Sequence, residues 1–153
     1  MNSQQIAEEA IMLFMDEGYS CSEAVALAAA SGWGLDTSCL PRIATGLAGG
    51  IGHKSSVCGA LTGGILALGL KHGRMSAQDI AAKDKTLELA ARYYDQFEIE
   101  LGSSLCQQLC GCNLSTPAGR QKFKDEKVKP NICRKVVSRA AEILVKIEAE
   151  GKG

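Results

Sequence analysis

Seven cysteines in 153 residues are the side chains with the most chemistry to offer, and four of them share a setting. Cys21 follows Ser20, Cys58 follows Ser56, Cys106 follows Ser103 and Ser104, and Cys133 follows Asn131. Ser and Asn cap helix N-termini, so the pattern predicts a thiol just inside the start of each of four helices. Unpaired backbone N–H groups and the positive end of the helix dipole favour a thiolate there. Thiolates attack disulfides and bind metals. If the four helix starts converge in space, they make one site.

The rest of the chain bounds that chemistry. Its length fits a single domain over residues 1–153 and is enough to bury a core without covalent staples. Apolar residues make up 46% and charged residues 22%, which excludes a disordered chain. The formal net charge is zero and there is no basic stripe, so nucleic acid is not an expected partner. The first residues, Met1 to Gln5, lack the basic and then apolar pattern of a secretory leader. The longest apolar stretch, Val57 to Leu70, covers 14 residues with four glycines and falls short of the ~20 that span a bilayer. A cytoplasmic protein without membrane insertion is expected. In that compartment seven cysteines point to metal or redox chemistry rather than a disulfide framework, and an odd number cannot pair completely.

Periodicity is helical nearly throughout. Asn2 with Gln5 forms a capping box before a helix lined by Ile6, Ala10, Leu13 and Phe14. Ser20 and Glu23 form a second box, with an Ala-rich helix running to about Gly32. A third helix is expected from Thr37 to Ala48, then a flexible glycine-rich loop from Gly49 to Ser56, and a fourth helix from Val57 to about Leu70. Its faces Gly59/Gly63 and Ala60/Gly64 allow close packing, within the chain or across a homodimer. A long helix follows from Ser76 to Leu101, then a short one carrying Cys106 and Cys110, and another opening at Thr116-Pro117. Lys124 to Lys129 reads as a charged, solvated link, and Pro130-Asn131 as the lead into a last helix. The fold expected is all-α, a single-domain bundle of five to seven helices.

Beyond the four, Cys39 reads as structural. Cys110 lies one turn after Cys106 on the same face, and Cys112 sits in a turn; both are secondary ligand candidates. His53, in the loop before Cys58, is a candidate proton carrier or ligand, and Tyr19 and Trp33 bracket the Cys21 helix. Gly46 to Gly52 lacks the Gly-Lys-Ser/Thr ending of a phosphate loop. No CxxC pair and no CxxCH haem attachment site is present.

Tyr19-Ser20-Cys21-Ser22-Glu23-Ala24, then Cys58-Gly59-Ala60-Leu61-Thr62-Gly63-Gly64, then Gly102-Ser103-Ser104-Leu105-Cys106, Gly111-Cys112-Asn113 and Cys133 resemble the C_GCAxxG_C_C family, whose proposed role is redox. The small-residue order in Cys58-Gly59-Ala60-Leu61-Thr62-Gly63 differs from the family's GCAxxG. The four cysteines of the family name fall on Cys21, Cys58, Cys106 and Cys133. The resemblance implies redox activity, and relatives with haem modules fit electron transfer; it fixes no substrate and does not decide between an oxidoreductase and an electron carrier.

Three chemistries use the same four sulfurs. In the first, they ligate an iron–sulfur cluster for electron transfer or redox sensing, with a redox protein as partner. In the second, they cycle between dithiol and disulfide without metal. In the third, they hold structural zinc in an interaction module, although spread over four helices they are unlike paired CxxC knuckles.

Overall fold

The computed structural model describes residues 1–152 and is all-α. Helix α1 is Ser3–Met15, α2 Cys21–Gly32, α3 Leu40–Ala44, α4 Gly59–His72, α5 Ile80–Leu101, α6 Cys106–Cys110, α7 Pro117–Asp125 and α8 Arg134–Glu150. A 3-10 turn, Thr45–Leu47, extends α3, and a π-helical segment, Lys129–Cys133, leads into α8. The six helices of nine residues or more fall within the expected number; α3 and α6 are single turns of five.

The caps account for several boundaries. The Asn2–Gln5 box is closed in both directions. Ser20 accepts from the Glu23 N–H at the start of α2, Asp79 from the Ala82 N–H at α5, and Thr116 from the Gly119 N–H at α7. Gly102 and Gly111, with φ of +88° and +72°, end α5 and α6 in the left-handed conformation that glycine adopts without cost.

One core unites α1, α2, α4, α5 and α8 through Ile6, Phe14, Val25, Leu61, Leu68, Tyr93, Phe97 and Leu144. The small face of α4 is what lets α2 and α5 approach within the chain. A Cβ on Gly63 would lie 2.3 Å from the Ser22 carbonyl oxygen, and one on Gly64 would lie 2.5 Å from the Tyr93 ring. Tyr93 is fully buried, and its hydroxyl donates between the Ala60 and Ala140 carbonyls, each at 3.2 Å. That satisfies the phenol and joins α5 to both α4 and α8.

Three expected boundaries are corrected. The third helix covers only Leu40–Ala44 before tightening into the 3-10 turn, so Thr37 to Cys39 lie outside it. Pro130 leads into the last helix not from a loop but from an already helical segment. It sits in the first turn of the π segment, where a missing N–H costs no helical hydrogen bond. The loop at Gly49 to Ser55 is an ordered left-handed coil: Gly49, Gly50, Ile51, Gly52, His53 and Ser55 have φ between +56° and +72°. Backbone bonds close it, among them Gly52 N–H to Gly46 carbonyl at 2.9 Å and Ser55 N–H to Gly49 carbonyl at 3.0 Å. Holding Ile51, His53 and Ser55 there costs about 1–2 kcal/mol per residue, which those bonds offset.

Candidate functional site: a cavity lined by five cysteines

The left-handed coil leads into an extended segment that fixes two cysteines against each other. Val57 pairs with Leu105 as an isolated antiparallel bridge. The Cys58 N–H donates to the Ser104 carbonyl at 2.8 Å, and the Cys106 N–H to the Ser56 carbonyl at 2.6 Å. Cys58 is the residue before α4, and Cys106 opens α6. Cys21 opens α2, and Cys133 ends the π segment before α8.

These elements converge. Cys21, Cys58, Cys106, Cys110 and Cys133 line one cavity of about 430 Å³. Phe14, Leu109, Leu114, Phe123, Ile132 and Val136 supply apolar walls; Ala48, Gly49 and His53 come from the coil, and Tyr19 lies beside Cys21. Arg120, Lys124 and Lys129 are at its edge, with Glu23 as the carboxylate. Cys21, Cys58, Cys106 and Cys133 thus share the lining of this cavity with Cys110.

The capping pattern that led to the four is less general than the sequence suggested. Only Ser20 caps as expected. No side chain caps α4 or α6, and Ser103 instead accepts from the Leu105 N–H. Asn131 lies within the π segment, so Cys133 is inside a continuous helical run rather than at a capped start. Nor do helix starts make these thiols acidic. Burial pushes Cys21 up, although N–H groups of Gly49, Ser22, Cys21 itself and Gly59 oppose it. Cys58 is pushed up to about 12 by burial and then by the charge of Cys21, against the Ala60 and Leu61 N–H groups. Cys133 is pushed up to about 12 by burial and by Cys21, Cys110 and Cys112, with Lys129 opposing. Desolvation outweighs the helix ends.

Cys106 and Cys110 behave as a pair. Their thiols interact one turn apart, which lowers Cys110 to about 6 and, together with burial, raises Cys106. One thiolate is favoured on the pair and a second is strongly disfavoured.

Cys112 does not line the cavity. It is 1% exposed and packs with Cys110, Leu114 and Val128. Ser55 holds its turn in place, accepting from the Leu114 N–H at 2.7 Å and donating to the Cys112 carbonyl at 3.3 Å. Cys39 is exposed at the start of α3, outside the cavity. Trp33 does not shield the site: it lies at the other end of α2, under the Lys71 ammonium at 4.6 Å. Sequence reasoning missed the basic residues at the cavity edge. Lys124 to Lys129 is not simply a solvated link, since Lys124 lies in α7 and both it and Lys129 contribute to the cavity lining.

The donor set is thiol-rich, as an iron–sulfur cluster or zinc requires. Among the described residues no three His, Cys, Asp or Glu side chains are grouped closely enough to hold one metal ion. Tetrahedral zinc with Zn–S bonds of ≈ 2.3 Å needs its sulfurs about 3.8 Å apart. A cluster distributes its cysteines over several irons and takes a wider set of sulfurs. The five-thiol cavity matches that chemistry in donor type.

No curated protein and no solved structure matches the chain. Residues 19–147 match the family described as "Putative redox-active protein (C_GCAxxG_C_C)", a span that begins just before Cys21 and takes in Cys58, Cys106 and Cys133. On that match, with the four cysteines of its name gathered at one cavity, the chain belongs to the C_GCAxxG_C_C family.

Proposed function

We propose that the cysteine cavity holds an iron–sulfur cluster and that the protein transfers electrons or senses redox state through it. The observation that carries this reading is the placement of Cys21, Cys58, Cys106 and Cys133 in the lining of one cavity. When bound, such a group supplies one-electron transfer at a potential set by its charge, its hydrogen bonds and its exposure. Cys21, Cys58, Cys106 and Cys133 are its proposed ligands, and Cys110, beside Cys106, is the alternative third sulfur.

The surrounding chain supports the role. The N–H groups of Gly49 and Gly59 near Cys21, and those of Ala60 and Leu61 near Cys58, favour negative charge on these sulfurs. N–H donors to ligand sulfur stabilise added negative charge and raise a reduction potential. Phe14, Leu109, Phe123 and Val136 limit water at the sulfurs. Because burial keeps Cys21, Cys58 and Cys133 protonated at neutral pH, each gives up a proton on ligation.

A metal-free dithiol mechanism is the second reading, favoured by the Cys106–Cys110 pair with its one stabilised thiolate. Anaerobic isolation with iron, sulfide and zinc analysis tests the choice. Iron and sulfide in comparable amounts support the cluster. A metal-free protein with a reversible two-electron thiol couple supports the second reading, and stoichiometric zinc rejects both.

A further inference from the structure

The segment from α7 to Lys129 carries charge that the cavity alone does not require. Arg120, Lys122, Lys124, Lys127 and Lys129 stand there against Asp125 and Glu126, in a chain of zero formal net charge. Among the described residues none of these five cations is in an ion pair, which is also true of most other Lys and Arg residues of the chain. What sets these apart is their clustering on one segment beside the cavity. Arg120 donates to the Leu114 carbonyl at 2.9 Å and Lys122 to the Gly111 carbonyl at 3.0 Å. Those bonds hold α7 against the turn after α6 without neutralising either charge. The Lys129 ammonium lies 4.7 Å from the centre of the Phe14 ring. Arg120, Lys124 and Lys129 reach the cavity edge, where Ile132 is 37% exposed.

We propose that this cationic side of the cavity mouth docks an acidic redox protein, the partner that exchanges electrons with the thiol site. The proposal rests on the redox reading of that site. Charge complementarity selects the occupant: unpaired cations beside a low-dielectric cleft attract a surface of the opposite sign and steer its approach. The patch extends past the cavity to the exposed Lys122 and Lys127, more surface than a small anion covers. An exposed isoleucine amid charged groups has the makeup of an interface patch with a polar rim.

The test titrates the isotope-labelled full-length protein with an acidic flavodoxin as probe and follows amide chemical shifts, a readout that needs no bound metal. Shifts confined to Arg120–Lys129, Ile132 and the cavity edge are expected. The double variant K124E/K129E should weaken binding by about tenfold or more at low salt, with the gap closing as salt shortens the screening length. Lys124→Glu alone, at an exposed position, should give a smaller loss and serves if the double variant is unfolded. Cys58→Ser should keep the docking while losing iron, which separates failure of the docking from failure of the cluster. Shifts elsewhere, binding indifferent to charge reversal, or full displacement by equimolar citrate would overturn the proposal.

Discussion

The Cys21 sulfur lies against the backbone of Gly59. A Cβ at position 59 would stand 2.5 Å from it. Gly59 is also the neighbour of Cys58, so one small residue lets the first thiol of the site approach the second. The glycine that follows the second characteristic cysteine thus has a direct structural reason here.

The same geometry separates three glycines of α4. Gly59→Ala meets a sulfur, and Gly63→Ala meets the Ser22 backbone at 2.3 Å, which cannot move without shifting α2. Each should destabilise by about 1–3 kcal/mol, as overpacking does, with Gly63→Ala the worse. Gly69 meets nothing within 4 Å, so Gly69→Ala should stabilise by about 0.5–1 kcal/mol through helix propensity. Urea denaturation midpoints check the order; equal costs at positions 59, 63 and 69 would refute the packing argument.

The fold was largely legible because its signals are local. Asn2, Ser20, Asp79 and Thr116 are caps written in sequence, and apolar periodicity identified the long helices. The convergence of the cysteines was legible only as a condition, since it depends on how α2, α4, α6 and the π segment pack. The left-handed coil was not legible. Ile51 and His53 disfavour φ above zero, and closure across the coil, such as the Ser56 N–H to the Gly50 carbonyl, holds them there. Thiol acidity was misjudged for a physical reason: the helix-end argument gives a sign, and burial reverses it.

Thiol reactivity follows from the directions of those shifts. At pH 7 a thiol with a pKa of about 12, as for Cys58 and Cys133, is ionised in about one molecule in 10⁵. In metal-free, reduced Cys39→Ser protein, limited iodoacetamide should mark the Cys106–Cys110 pair well before Cys58 or Cys133. Peptide mass spectrometry reads the order, and early labelling of Cys58 would contradict the burial account.

Acid should weaken the fold in two windows. Buried Glu148 faces Lys71 at 2.9 Å, His72 at 3.3 Å and Lys152 at 3.6 Å. Burial raises its carboxyl, but these partners outweigh burial and hold it below its ordinary 4.5. Its stabilisation is present above that value and is lost as pH falls through the folded one. His72 is held below its ordinary 6.5, chiefly by burial, so the unfolded chain takes up its proton first and stability falls below about pH 6.5. Denaturation midpoints should decline through both windows. Glu148→Gln should flatten the more acidic one, and a midpoint rising on acidification would refute the assignment.

The cysteines outside the cavity supply controls. Cys39→Ser should leave folding and metal content unchanged. Cys112→Ser should lower stability, because Cys112 is buried among Leu114 and Val128, yet retain iron. Loss of iron from Cys112→Ser with the fold intact would mean that the Cys112 turn enters the site.

Iron X-ray absorption on anaerobically isolated protein tests the central claim most directly, because it reads what surrounds the metal at the cysteines. A cluster held by Cys21, Cys58, Cys106 and Cys133 predicts sulfur neighbours together with a short iron–iron vector, both lost in Cys58→Ser. Protein without bound iron, or iron with no neighbouring iron and no dependence on Cys58, would contradict it.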